Sequence, residues 1–157
     1  MGMDVFGKAP TSETGKYFRN NVWWWRPLAD ICQTLAPEIC AKCTYWQSND
    51  GDGLDATGAA ALAAVLEARL ADGTIKNLIA ERDAYLAALP DEECSLCEGK
   101  GRRSDELAIQ NGWDKKPCNA CEGTGKVRPS ETRYPQDEEN IREFTAFLKA
   151  CGGFSIH

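Results

Sequence analysis

The chain has 157 residues, enough for one domain with a hydrophobic core and a small satellite. Its 43% apolar content excludes a disordered protein, and its net charge of −6 disfavours a general nucleic-acid partner, because such binding depends on cationic contacts. No apolar run is long enough for a membrane helix, and MGMDVFGKAP lacks the apolar stretch of a secretory signal. We therefore expect a cytoplasmic protein that does not bind membranes.

The N-terminal part of the chain predicts two strands and one helix. Residues 3–7 alternate weakly between apolar and polar, which predicts a short edge strand, and residues 17–25 have the aromatic and β-branched content of a second strand. Pro27 is typical of a first helical turn. The apolar repeat after it predicts a helix that ends near Pro37.

Three consecutive tryptophans lie at the end of the second predicted strand. Because Pro27 disfavours helix at the residue before it, we expect an extended backbone whose side chains alternate between two faces. This alternation predicts that Trp24 is buried in the core. Trp23 and Trp25 then share the opposite face with Arg19, a composition typical of a binding surface. The alternative is that both of these rings pack under a helix.

The centre of the chain combines a turn with two helices. SNDGDGLD, residues 48–55, resembles a calcium-binding loop, but Ala59 occupies the twelfth position, where a bidentate glutamate belongs. A turn with Asp55 as a helix N-cap explains the same residues. Apolar repeats predict helices over residues 55–71 and 74–90, packed as an antiparallel hairpin.

The C-terminal part predicts a helix over residues 137–150 and a last strand over 154–156, paired with the first strand. Residues 94–128 are rich in glycine and poor in large apolar side chains, so they cannot form a core of their own. The predicted fold class is α+β. A small helical body with a short terminal β-sheet, residues 1–93 and 129–157, carries residues 94–128 as an inserted zinc-binding β-hairpin module.

Eight cysteines in a chain predicted to be cytoplasmic indicate metal binding rather than disulfides. CSLCEGKG, residues 94–101, recurs as CNACEGTG, residues 118–125, and each CxxC places two thiolates on one tight turn. The pair predicts one zinc ion per chain, with four ligands: Cys94, Cys97, Cys118 and Cys121. Four glycines can adopt the positive φ that turns backbone amides toward the sulfurs: Gly99, Gly101, Gly123 and Gly125. A disulfide pair or a redox CxxC is the alternative.

The repeated CxxCxGxG motif resembles the cysteine-rich zinc-finger domain of the DnaJ chaperone family. Over residues 94–128, this resemblance implies that the four cysteines are zinc ligands and that the four glycines are the family's knuckle glycines. DnaJ proteins carry twice as many repeats and a second zinc ion, and the chain has no His-Pro-Asp tripeptide, so stimulation of a chaperone ATPase is not implied. Single-zinc versions of the module bind another protein. The remainder resembles small bacterial and phage proteins without an assigned function.

Two further sets of residues are candidates for function. Four cysteines outside the repeats predict either a second metal site or buried apolar thiols: Cys32, Cys40, Cys43 and Cys151. Four basic residues of the zinc segment extend the candidate binding surface: Arg102, Arg103, Lys115 and Lys116.

Four sulfur ligands leave no position for water, so the zinc is predicted to be structural rather than catalytic. His157 is the chain's one histidine, which disfavours a Ser–His or Cys–His nucleophile pair.

The leading hypothesis is a non-enzymatic zinc-binding protein that acts through protein–protein interaction, as an adaptor, inhibitor or chaperone-like module. One alternative is a nucleic-acid-associated regulator that uses the basic zinc segment. The others are a thiol oxidoreductase and a small hydrolase based on carboxylates and arginines: Asp50, Asp52, Asp55, Arg19 and Arg26.

Overall fold

The structure, a computed structural model, describes residues 2–157 as two compact units. The first unit runs to Asp83 and resumes from Tyr134 to His157, and the second is Ala84–Arg133. The elements, in chain order, are β1 (Gly2–Gly7), β2 (Tyr17–Asn21), α1 (Val22–Leu35), α2 (Pro37–Cys40), α3 (Ala56–Ala71), α4 (Thr74–Ala88), β3 (Glu92–Glu93), α5 (Glu106–Gln110), β4 (Lys126–Val127), α6 (Glu138–Ala150) and β5 (Phe154–Ile156). The predicted α+β class is confirmed. Among residues 2–157, no helix has both the length and the apolar character needed to cross a membrane.

Both ends of the chain form one antiparallel sheet in the first unit, as predicted, with the strand order β2-β1-β5. Val5 lies opposite Phe18 on one side and Ile156 on the other. Strand β1 is therefore central, and its prediction as an edge strand is wrong. The alternation along β1 buries Met3 and Val5 against the helices and leaves Phe6 exposed.

The core of the first unit lies between this sheet and the helices. Helix α3 packs extensively against α6 and makes little contact with α4, so the predicted hairpin of α3 with α4 is wrong. The small buried side chains of α3, such as Ala59 and Ala63, let the backbone of α6 approach closely, and α6 buries the large rings of Phe144 and Phe147 in the same core. Helix α4 buries only Ile75 completely.

The extended backbone predicted for the three tryptophans is wrong, because α1 begins at Val22. Asn21 is the N-cap, and its side-chain oxygen accepts the N–H groups of Trp23 and Trp24 at 3.0 and 3.2 Å. Pro27 consequently lies inside the helix rather than in its first turn. Helical rather than alternating spacing directs Trp25 into the core.

Loss of the cap should be measurable. Replacing Asn21 with alanine is expected to lower the free energy of unfolding of the first unit by about 1 kcal/mol, because two N–H groups of α1 lose their acceptor. Urea unfolding followed by circular dichroism measures this. Asn21→Asp retains an acceptor and should be close to neutral, so an equal loss in both variants would contradict the capping role.

Candidate metal centre

The second unit brings together the four cysteines predicted as metal ligands. Their Sγ atoms all lie within 4.8 Å of one another, and all four side chains are buried. The Sγ atoms of Cys94 and Cys118 are 3.9 Å apart, and those of Cys97 and Cys121 are 3.7 Å apart. Tetrahedral thiolate sites with metal–sulfur bonds of about 2.3 Å require sulfurs about 3.8 Å apart. The four sulfurs are therefore positioned to bind one metal ion.

The two CxxCxGxG repeats exchange equivalent hydrogen bonds. The N–H of Cys94 donates to the carbonyl of Gly125 at 2.9 Å, and the N–H of Cys118 donates to the carbonyl of Gly101 at 2.8 Å. Strands β3 and β4, which adjoin the two repeats, pair antiparallel. Each repeat thus fixes the first cysteine of the other, and the ligand geometry depends on both turns together.

Backbone amides point at two of the sulfurs. The N–H groups of Gly101 and Gly125 donate to the Sγ atoms of Cys97 and Cys121, each at 3.3 Å. Burial raises the pKa of Cys121, but the amides of Gly125 and Gly123 and the neighbouring thiols outweigh it and lower that pKa to about 7. Burial and the hydrogen bond with Cys121 raise the pKa of Cys97. The metal-free cluster therefore keeps protons that an ion must displace, so binding should weaken as the pH falls.

The glycines of the repeats allow the two turns to approach closely. Gly101 and Gly125 have φ angles of +72° and +77°. A Cβ atom on Gly125 would lie 2.1 Å from the carbonyl oxygen of Gly99, and one on Gly101 would lie 2.3 Å from that of Gly123. Any side chain at Gly101 or Gly125 would push the two turns apart and move the sulfurs with them.

Gly125→Ala is therefore expected to weaken metal binding at least tenfold, since a backbone clash must be relieved by separating the turns. Gly112→Ala is the matched control: it lies in the same unit, has φ +68°, and has open space around its Cβ position. It should change the affinity far less. Competition with a chromogenic chelator measures both, and equal effects would show that backbone conformation rather than close approach sets the affinity.

Between the repeats, the chain forms a short helix and a turn rather than the β-hairpins predicted for the insert. Asp105 caps α5 by accepting the N–H of Ala108, and a single 3-10 turn follows at Trp113–Lys115. The strands that the structure describes in this unit are short: β3 and β4 have two residues each. The second unit starts at Ala84, ten residues before the residue 94 expected for the insert.

Arg103 differs from the other basic residues of the candidate surface. Its guanidinium donates two hydrogen bonds of 2.8 Å to Asp105 and lies 5.2 Å from the ring centroid of Trp113. Its side chain is only 16% exposed. Three basic residues of the candidate surface are exposed: Arg102, Lys115 and Lys116.

The remaining candidates for the binding surface lie in the first unit. Trp25 is fully buried, and its indole N–H donates to the carbonyl of Trp46 at 2.6 Å, so its assignment to a surface is wrong. Trp23 is 41% exposed and packs against Tyr134, with 4.9 Å between ring centroids. Arg19 pairs with an aspartate of β1. The role of Tyr134 was missed, because nothing near it in the sequence indicates contact with α1.

The four other cysteines do not form a second metal-binding group within residues 2–157. They are buried in the core of the first unit: Cys32, Cys40, Cys43 and Cys151. Burial raises the pKa of Cys40 to about 11 and, with the charge of Asp52, that of Cys43 to about 12. These observations favour the alternative reading, in which the four thiols are buried as small apolar side chains.

The carboxylates of the 48–55 turn have local structural roles. Asp52 accepts the N–H groups of Tyr45 and Gly53 at 2.9 and 2.7 Å, and Asp55 caps α3 by accepting the N–H of Gly58 at 2.6 Å. Asp50 accepts the hydroxyl of Ser48. No metal-binding cluster of these carboxylates forms in the part of the chain that the structure describes.

No protein-family model matches the chain, and neither a curated protein nor a solved structure matches it. The likeness to the DnaJ zinc domain therefore rests on the two repeats alone.

Proposed function

We propose that the four-cysteine site binds zinc and that this ion is structural. Tetrahedral sites made of four thiolates favour zinc. The sulfurs supply four ligands at the spacing such an ion needs, which leaves no position for a reactive water. The resemblance of the repeats to the DnaJ zinc domain supports the same assignment.

The zinc-bound unit serves to dock a protein partner, and the chain acts without catalysis. The observation that carries this is a set of large apolar side chains on the second unit that are 40–60% exposed: Leu96, Leu107, Ile109 and Trp113. The buried cluster of this unit is four cysteines with Val127 packed against them, which leaves the larger apolar groups outside. Exposed apolar patches mark interaction sites, and tryptophan beside arginine is typical of their centres.

A nucleic-acid partner has less support. The second unit, residues 84–133, carries eight basic and nine acidic side chains. Arg103, the least exposed of the basic candidates, is already paired with Asp105. Nucleic-acid surfaces concentrate unpaired cations along one face, whereas here both signs are interspersed.

An enzymatic role has less support as well. A redox CxxC needs an accessible thiolate near neutral pH. Burial raises the pKa values of Cys40 and Cys43 to about 11 and 12, and Cys121, whose pKa is lowered to about 7, is buried among three other thiols. The carboxylates available to a hydrolase already accept hydrogen bonds from their own turn and from the start of α3.

The docking role is tested by affinity capture from a lysate of the organism that encodes the chain. The double variant Leu107→Ser, Ile109→Ser removes exposed apolar groups of α5, while Tyr45→Ser, a ring 59% exposed in the first unit, is the matched control. We expect a protein that is retained by the wild type and by Tyr45→Ser and is lost from the double variant. Retention by all three chains, or by none, would contradict the proposal.

A further inference from the structure

A cavity of about 360 Å³ opens on the second unit. Its walls come from Arg103, Trp113, Lys116, Pro117 and Asn119. Pro117 and Asn119 directly flank a metal-ligating cysteine, so the metal centre fixes that wall of the cavity. The indole of Trp113 provides an apolar wall.

The polar side chains around this cavity are mainly donors. Lys116 takes part in none of the ion pairs found among residues 2–157. The side-chain amide of Asn119 and the indole N–H of Trp113 donate no hydrogen bond within the same residues. No carboxylate is among the lining residues. The side-chain oxygen of Asn119 is the one acceptor among these side chains, and such a surplus of donors favours an anion.

Two cations line the cavity, but their roles differ. Arg103 is held between Asp105 and Trp113, so much of its charge is already neutralised and its position is fixed. Lys116 is exposed and unpaired, and it therefore supplies most of the attraction for an incoming negative group.

We propose that this cavity binds an acidic, partly apolar segment of a protein partner, with a carboxylate of the partner on Lys116 and Asn119. The inference rests on the docking function proposed above and names the chemistry of that partner. Leu107 and Ile109 are 55% and 60% exposed on α5, which packs against the turn that carries Trp113. These two side chains project from different sides of α5, around the buried Ala108, so they can contact aliphatic groups at separate positions of the bound segment.

An acidic protein segment fits these features better than a nucleic acid. A polyanion gains affinity from several unpaired cations, whereas the cavity offers one. Exposed aliphatic groups on α5 complement leucine or isoleucine and offer nothing to a phosphate backbone. The experiment therefore includes a nucleic-acid probe, so that binding of a nucleic acid would be detected.

Fluorescence anisotropy on the zinc-loaded full-length chain tests the proposal with three labelled probes: a peptide that alternates glutamate with leucine, the same peptide with glutamine for glutamate, and single-stranded oligothymidine. The glutamate peptide should bind tightest. Lys116→Gln should weaken its binding about tenfold, because a charge-assisted hydrogen bond is lost. Lys115→Gln removes the same charge one residue away, outside the cavity lining, and should stay within about twofold of the wild type.

Several results would overturn the inference. The inference is wrong if the glutamine peptide binds as tightly as the glutamate peptide, if oligothymidine binds more tightly, or if the glutamate peptide does not bind. It is also wrong if Lys115→Gln and Lys116→Gln weaken binding of the glutamate peptide equally. The capture experiment distinguishes failure of this inference from failure of the docking function. If the Leu107→Ser, Ile109→Ser variant loses its captured protein while Lys116→Gln keeps it, docking through α5 stands and the acidic-segment inference falls.

Discussion

Replacing Cys118 with serine is expected to release the metal ion and unfold residues 84–133, while the first unit stays folded. We expect the second unit to depend on the ion because its buried cluster is four cysteines with Val127, and burial of so little apolar surface cannot offset the chain entropy lost on folding. Structural zinc contributes about 10–16 kcal/mol of apparent binding free energy in small zinc domains. The first unit has its own core, which contains none of the four ligands.

Tryptophan side chains report on the two units separately. Trp113 is the one tryptophan of the second unit, and the other four lie in the first. In a ¹H–¹⁵N correlation spectrum of Cys118→Ser, the indole resonance of Trp113 should move to an unfolded position while the other four stay dispersed. Cys151→Ser is the matched control, since it replaces a buried thiol of the first unit and should leave Trp113 unchanged. An ordered Trp113 in metal-free Cys118→Ser would contradict the dependence on metal.

Trp25→Ala is expected to lower the free energy of unfolding of the first unit by about 3–5 kcal/mol, as large-to-small changes in cores do. Trp25 is fully buried, with its ring 6.1 Å from that of Trp46 and 5.7 Å from that of Phe144. Its removal leaves a cavity and also takes away the hydrogen bond to the carbonyl of Trp46.

Trp23→Ala is the comparison within the same helix and should cost only about 1 kcal/mol, because the ring is 41% exposed and loses chiefly its contact with Tyr134. Trp25→Phe keeps most of the buried area and should lie between the two. Denaturant unfolding of the three variants gives the order. A Trp23→Ala cost equal to that of Trp25→Ala would contradict the burial assigned to α1.

The sequence predicted features that depend on neighbouring residues. Helices α3 and α6 followed from apolar spacing and from glycine and proline punctuation. The metal ligands followed from the repeat itself, because each CxxC turn sets the sulfur spacing locally and the duplicate supplies the other two ligands. None of these predictions required knowledge of long-range contacts.

The errors arose where two local signals compete or where distant contacts decide. At the tryptophans, Pro27 favours an extended backbone before it, while Asn21 favours a helix start. The cap prevailed, and the helical spacing that followed moved the buried position from Trp24 to Trp25. The packing of Tyr134 on Trp23 joins residues that are far apart in the chain, so no local sequence pattern predicts it. Helix α5 was too short for periodicity to reveal it.

The central claim is that four cysteines bind one structural zinc ion, and a measurement of metal content combined with a thiol count tests it most directly. Native mass spectrometry of protein purified without added metal, combined with elemental analysis, should give one zinc ion per chain. Under native conditions all eight cysteines should resist alkylation, since the four of the first unit are buried in its core, and a chelator that removes the ion should expose four of them: Cys94, Cys97, Cys118 and Cys121. Metal-free protein with a disulfide between Cys94 and Cys97 would contradict the structural zinc site and, with it, the docking role proposed for the unit.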